Sequence, residues 1–413
     1  MDKILFLGNN LHVDTMINIA KEKGIYTIVT DNLSVEDSPV KKLADEAWDI
    51  SVTDIDELEA AAKKAEVTAV LCGASEVCMQ ANRDLCKRLD LPFYVSDKAW
   101  DIVNDKLRFK EECEKFGVPV PKNFKLDINF AEEDLAAVEY PVVVKPADGC
   151  SSIGMHICYN EEELIAGYKD AYEKSDAKKV VLEKYYSGEE TSLLFCYVDG
   201  EPVCIETGDV LGDKKNGKPF LFGGNYTKHQ ELFEDKFMNS LKNLFKDLGC
   251  VAGTGSVQFI FEGDDFAALE MNYRLPGAKT MSSDFMCRRM IEYAMGVKVK
   301  KEDVIDSIPS VQKTNAYCIW ANPGVIAEIK GIETITENLH MVSMAPNHKV
   351  GDEIVENSGM RQLFAYAIMD AEKEKDFAKA VDFINKNLQV LDENGNDMLC
   401  KYSYDNKGFA TRL

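Results

Sequence analysis

The apolar run Val142-Val143-Val144 delivers a lysine, Lys145, into Pro146-Ala147-Asp148-Gly149-Cys150-Ser151-Ser152-Ile153-Gly154. Two glycines and two serines in so short a stretch offer backbone N–H groups and hydroxyls at close range. That suits phosphate oxygens, and a lysine beside them adds a point charge. The order is not that of a Walker A loop, where the lysine follows the glycines. Taken alone, the segment also reads as an ordinary Gly/Ser turn. A second segment runs from Ser256 to Asn272. If Gly263-Asp264-Asp265 is a three-residue hairpin loop, Glu262 faces Phe266 and Gln258 faces Glu270. Side chains alternate along strands, so Gln258, Glu270 and Asn272 then line one face. Grouped oxygen donors are what Mg²⁺ takes, with one or two carboxylates completed by substrate phosphates. Arg274 follows two residues on, where its fork could hold a phosphate or a carboxylate. Pro276 and Gly277 close the strand just past the polar cluster. A third segment, Leu182 to Ser192, ends an apolar strand in Glu183 and places Glu190 after a turn. Ribose hydroxyls favour a carboxylate, and an adenine edge needs one backbone donor and one acceptor. By itself such an acidic turn reads equally well as solvated surface.

The elements that carry these residues are legible from hydrophobic spacing. Residues 3–8 form a buried strand, and Val13, Met16, Ile17 and Ala20 follow at helical spacing before Gly24. Ile25–Val29 and Val67–Cys72 are further strands, separated by a helix over about 54–65, and Glu76–Leu89 is another helix. Alternation of this kind builds a parallel sheet covered on both faces. A dinucleotide site is disfavoured, because the first turn reads Gly8-Asn9-Asn10-Leu11-His12-Val13 and keeps only one glycine of the fingerprint. Asp105-Lys106 opens a helix ending at Gly117, and Val118-Pro119-Val120-Pro121 forces extended chain. Strands over 141–145 and 179–183 flank a helix carrying Leu164, Ile165, Tyr168 and Tyr172, and an antiparallel region begins at Thr191. The last hundred or so residues form an α+β unit with a closing helix on Phe377, Ala380, Val381, Ile384 and Leu388.

Composition narrows the field. The chain has 413 residues, with 48 Lys plus Arg against 71 Asp plus Glu, a formal charge of −23. A nucleic-acid partner needs a positive footprint, so none is expected. No apolar run is long enough for a membrane span, and the N-terminus lacks the pattern of an export signal. The expected location is cytoplasmic, and the 12 cysteines, none in CxxC spacing, read as reduced and mostly buried. HExxH and GxSxG are absent.

The order of these segments resembles the ATP-grasp superfamily of carboxylate–amine ligases over nearly the whole chain. Lys145 to Gly154 is similar to the family's flexible phosphate loop, closest to that of D-alanine–D-alanine ligases, with Gly149, Ser151, Ser152 and Gly154 as nucleotide contacts. Asp105-Lys106 resembles the start whose lysine contacts the α-phosphate. Glu183-Lys184-Tyr185-Tyr186 resembles the adenine hinge, with Glu190 at the ribose acid, and Glu270-Met271-Asn272-Tyr273-Arg274 resembles the metal motif. The stretches Gly324–Glu333 and Val350–Glu353 look like the closing domain of L-amino-acid ligases and biotin-carboxylase-like enzymes.

The resemblance implies a multidomain α/β and α+β chain. It has a Rossmann-like N-terminal domain (1–104), a two-subdomain ATP-grasp fold (105–310, divided near 184–190) and a small C-terminal α+β domain (311–413). It implies ATP with Mg²⁺ or Mn²⁺, one or two ions, held by Gln258, Glu270 and Asn272. A carboxylate attacks the γ-phosphate of ATP, and an amine then attacks the acyl phosphate. Lys145 and Arg274 are the expected catalytic residues, and Arg274 and Gly277 face the substrate. The expected partners are small-molecule carboxylates and amines, with a homodimer as the expected assembly. Two positions depart from the pattern: Gln258 stands where glutamate is usual, and Pro276-Gly277-Ala278 replaces a double glycine. Carbamoyl-phosphate-synthase-like or purine-pathway ligases are alternatives, as is a nucleotide-binding regulator without turnover.

Overall fold

The computed structural model describes residues 2–148, 153–213, 220–226, 237–262, 265–277, 282–308, 314–355, 362–404 and 410–412. The chain opens with β1 (Lys3–Leu7), α1 (Val13–Glu22), β2 (Tyr26–Thr30), α2 (Pro39–Leu43), β3 (Glu46–Trp48), α3 (Ile55–Ala65), β4 (Ala69–Cys72) and α4 (Glu76–Leu89). The four strands pair in parallel in the order β3-β2-β1-β4. Ile4, Leu5, Phe6 and Leu7 are all fully buried, as a strand sandwiched between helices requires. The edge strand β3 is three residues of mixed polarity, too short to show a period.

Next come α5 (Asp97–Val103) and α6 (Lys106–Lys115). Asp105 caps α6 by accepting from the backbone N–H groups of Leu107 and Arg108 at 3.0 and 3.2 Å. After α7 (Glu132–Ala136), a small antiparallel sheet forms from β5 (Val142–Pro146), β6 (His156–Cys158) and β7 (Val180–Lys184) in the order β6-β5-β7. The helix α8 (Glu161–Lys174) covers it, and Val142, Val144, Leu164, Tyr168 and Leu182 make a separate core. The large sheet begins with β8 (Glu189–Val198), β9 (Glu201–Asp213) and β10 (Phe220–Tyr226), then β11 (Thr254–Glu262) and β12 (Asp265–Asn272). Its order is β12-β11-β8-β9-β10, continued by strands Thr314–Ala321, Leu363–Asp370 and Met341–Pro346. One sheet therefore joins strands from both sides of residue 310. The C-terminal residues pack a core of their own around Phe364, Met369, Val381 and Ile384.

The N-terminal sheet and the large sheet share one apolar core. Tyr94 and Tyr273 meet edge to face with ring centres 5.6 Å apart, and the Tyr273 hydroxyl donates to the Ala252 carbonyl at 2.6 Å. Among the described residues every cysteine is a free thiol, and no helix is long and apolar enough to cross a membrane.

Candidate active site

Three surfaces converge: the face of β5 and β7 opposite α8, the outer face of β8, β11 and β12, and the first turns of α6. In β5, Val142, Val144 and Pro146 point into the small core, so Val143 and Lys145 point the other way. The β5–β7 register sets Val143 against Glu183 and Lys145 against Val181. Lys145 and Glu183 are therefore diagonal neighbours on one face, and Lys145 Nζ sits 2.6 Å from Glu183 Oε1. The other oxygen of Glu183 accepts from Lys110 of α6. Glu183 is 2% exposed and Lys110 is 1% exposed. Burial pushes the Lys145 ammonium down to about 8, and Lys106 adds to this while Glu270 and Glu190 oppose it.

On the large sheet, Glu190 lies opposite Ile260, and Gln258 lies between Ser192 and Glu270. Residues directly opposite share a face, so Gln258 and Glu270 stand in one row with Ser192, and Glu190 lies on the same face two residues along. The route to that row differs from the expected hairpin. Glu262 pairs with Asp265 rather than with Phe266, and Phe261 takes Phe266. The ladder then shifts by one residue, because Leu269 is left unpaired between Ala268 and Glu270. The bulge restores Gln258 opposite Glu270, and Asn272 and Arg274 continue along the same side, alternating with buried Met271, Tyr273 and Leu275.

A polar chain runs along this edge. Lys106 Nζ approaches Glu270 Oε2 at 3.7 Å. Asn272 Nδ2 donates to Glu270 Oε1 at 3.4 Å, and Arg274 donates to Asn272 Oδ1 at 3.3 Å. Arg274 Nε meets Glu76 Oε1, at the start of α4, at 2.5 Å. Nearby, His12 Nε2 donates to the Pro276 carbonyl at 2.8 Å. The N-terminal unit thus grips the segment after the metal-type motif at two points. Gly277 is exposed, with open space where a Cβ would stand.

The segment expected to be the hinge follows β7 and is tied down through its backbone. Lys184 and Tyr185 give their N–H groups to the Lys122 and Pro141 carbonyls. Ser187 donates to Glu262 Oε1 at 2.8 Å, and Lys184 Nζ lies 4.7 Å above the Tyr186 ring and 3.8 Å from Glu262. The side chain of Glu183 is committed to two lysines, so any adenine contact from this residue is left to its backbone. Gly149, Ser151 and Ser152 lie outside the described residues. The stems on either side are fixed to α8 and its end. Asp148 accepts from Ser175 Oγ and Ala177 N at 2.7 and 2.8 Å, and His156 Nε2 meets Asp170 at 2.7 Å. Gly154 has φ +74° with Pro146 and Lys174 3.0 Å from an added Cβ, so only glycine fits. Sequence reasoning passed over Glu76, His12, Lys110 and Glu262. Of these only Lys110 carried a signal, its spacing of one helical turn from Lys106.

The chain thus combines a parallel N-terminal sheet, a small antiparallel sheet and a large antiparallel sheet, with charged groups between the last two. Residues 105–301, a little under half of the chain, match the family model "Carbamoyl-phosphate synthase L chain, ATP binding domain". The chain is 30% identical to the 2-oxoglutarate carboxylase small subunit of Hydrogenobacter thermophilus over 224 residues, 51% of this chain and 45% of that one. It thus spans less than half the length of that relative. Its fold is similar to the crystal structure of L-amino acid ligase from Bacillus licheniformis, with a TM-score of 0.76, 13% identity, and coverage of 95% and 99% of the two chains. It is also similar to the biotin carboxylase domain dimer of Hydrogenobacter thermophilus 2-oxoglutarate carboxylase in complex with MgADP, ADP and bicarbonate. That match has a TM-score of 0.74, 20% identity, and coverage of 94% and 91%.

Proposed function

We propose that the chain is an ATP-dependent carboxylate–amine ligase that activates a small carboxylic or amino acid as an acyl phosphate, releasing ADP and phosphate. The observation that carries this reading is the facing pair of surfaces: Lys145 and Lys106 on one side, and the row Glu190, Gln258, Glu270, Asn272 and Arg274 on the other. Phosphoryl transfer asks the protein for positioning and charge neutralisation rather than for a nucleophile, and such a surface supplies both. Lys145 and Lys106 would hold phosphate oxygens. The backbone of Lys184 to Tyr186 would receive the adenine and Glu190 the ribose, with Gly154 ending the phosphate loop. Arg274 would orient the acid once it exchanges Glu76 for substrate, with Gly277 on the substrate side.

The donors also fit a hard divalent cation. Glu270, Asn272 and Gln258 offer one carboxylate and two amide oxygens on adjoining positions. Among the described residues no three His, Cys, Asp or Glu side chains form a self-sufficient metal site. One carboxylate with two amide oxygens suits Mg²⁺ held jointly with substrate phosphates. When bound, it would neutralise charge on the transferred phosphate. Gln258 in place of a second carboxylate favours one tightly held ion over two.

The division into residues 1–104, 105–310 and 311–413 belongs to the same reading; the separate C-terminal core supports its last unit, while the large sheet crosses residue 310 and shares its core with the N-terminal sheet. A homodimer is supported by the dimer named for the Hydrogenobacter thermophilus neighbour. A second reading takes bicarbonate as the acid. It is favoured by the carbamoyl-phosphate synthase family match. One experiment separates the two: phosphate release from MgATP, alone, with bicarbonate, and with amino-acid mixtures, with hydroxylamine as a trap. Amino-acid-dependent release with hydroxamate formation supports the ligase. Release that needs only bicarbonate turns the reading to carboxyl-phosphate chemistry, and binding without any release turns it to a regulator.

A further inference from the structure

Lys110 is a buried lysine that the chemistry above leaves unused. It stands one turn beyond Lys106 on α6, and its ammonium donates to one oxygen of Glu183 while Lys145 takes the other at 2.6 Å. One carboxylate thus serves two ammoniums, and the trio carries one positive charge in excess. Paired with Lys145 alone, Glu183 would make a neutral unit. The groups facing the trio are Lys106 from α6, Glu190 from β8 and Glu270 from β12. Three lysines therefore balance three glutamates, and removing Lys110 leaves the cluster negative before any polyphosphate arrives. In a partly desolvated cleft that difference is screened much less than in water.

We propose that Lys110 is a positioning residue for nucleotide binding. By holding one oxygen of Glu183, it keeps the Lys145 side of the cleft cationic and aimed at phosphate, without itself touching the nucleotide. The inference rests on the cleft being a nucleotide site. Burial, followed by Lys145 and Lys106, pushes the Lys110 ammonium down. The Glu183 carboxylate in contact with it favours the charged form.

The test is calorimetric binding of MgADP to the full chain at neutral pH, with melting temperature measured alongside. Lys110→Gln removes the charge and keeps an N–H donor one atom shorter, and Lys110→Met is its companion should either fold poorly. Both are expected to weaken MgADP about tenfold or more. Lys110→Arg should bind like the wild type, and Lys110→Gln/Glu183→Gln should regain most of the loss, because the uncompensated carboxylate goes too. A role in packing alone would lower melting temperature without this pattern. Wild-type affinity in Lys110→Gln, or a double variant weaker than the single, overturns the inference. If the wild type binds no MgADP, the nucleotide reading falls with it; if only the variant matches the wild type, that reading stands.

Discussion

Gln258 lies directly across from Glu270 because β12 carries one residue more than its partner, Leu269. An unbroken ladder from the Glu262–Asp265 pair would set Gln258 against Leu269 and turn Glu270 to the core side. The bulge is what aims the carboxylate into the cleft.

Inserting one alanine between Leu269 and Glu270 should therefore leave a folded hairpin whose one-residue bulge now sets Glu270 against Val257, on the core side. The expected outcome is loss of Mg²⁺-dependent ATP turnover by about a hundredfold, near 2.7 kcal/mol, together with lower stability. Turnover assays over a range of Mg²⁺ concentrations check it. Full activity in the insertion variant would show that Glu270 is not the metal-side acid.

Arg274 faces Glu76 at 2.5 Å, so its fork has an acid already. Arg274→Lys keeps the charge and loses the bidentate geometry. ATP affinity should stay near normal while substrate-dependent ADP formation falls at least tenfold, about 1.4 kcal/mol. Glu76→Gln should instead lower KM for the acid substrate, because a competing carboxylate is gone. A rise in KM would mean that Glu76 orients Arg274 productively.

The depressed Lys145 gives a pH dependence. Its ammonium is charged below about 8 and neutral above, because burial disfavours the charged form. Phosphates prefer the charged form, so nucleotide binding above that pH takes up a proton. Affinity should fall as pH rises past about 8, by at most about tenfold per pH unit from this one group. Calorimetry in two buffers of different ionisation enthalpy measures the uptake directly. A flat affinity from pH 7 to 9.5 would remove Lys145 from the phosphate site.

At the hinge, an added Cβ on Gly188 would stand 1.1 Å from the Phe261 carbonyl oxygen. Gly188→Ala must push the hinge away from β11, at a cost of about 1–3 kcal/mol. The Ser187–Glu262 contact should open with it, so KM for ATP should rise more than kcat falls. Thermal unfolding and steady-state kinetics on one preparation report both effects.

Much of this was legible in the chain itself. Apolar periods marked β1, α1, β4 and α4, and Asp105 announced the start of α6 as a cap. The lysine- and glycine-bearing loop and the Glu270-x-Asn272-x-Arg274 face could be picked out because strand alternation and short turns are local rules, whereas the hinge was marked only by its resemblance to the family. Three things were not local. The bulge at Leu269 depends on how β12 packs against β11, and no residue type in the hairpin encodes it. The contacts of Glu76 with Arg274 and of His12 with Pro276 join residues 198 and 264 positions apart. The sharing of Glu183 between Lys110 and Lys145 needs a helix and a sheet brought together by burial of their apolar sides. Sequence determined which groups were available, since side-chain chemistry and short-range periodicity are written residue by residue. Only the tertiary structure decided which of them face one another, because register, docking and charge balance are set by the packing of the whole core.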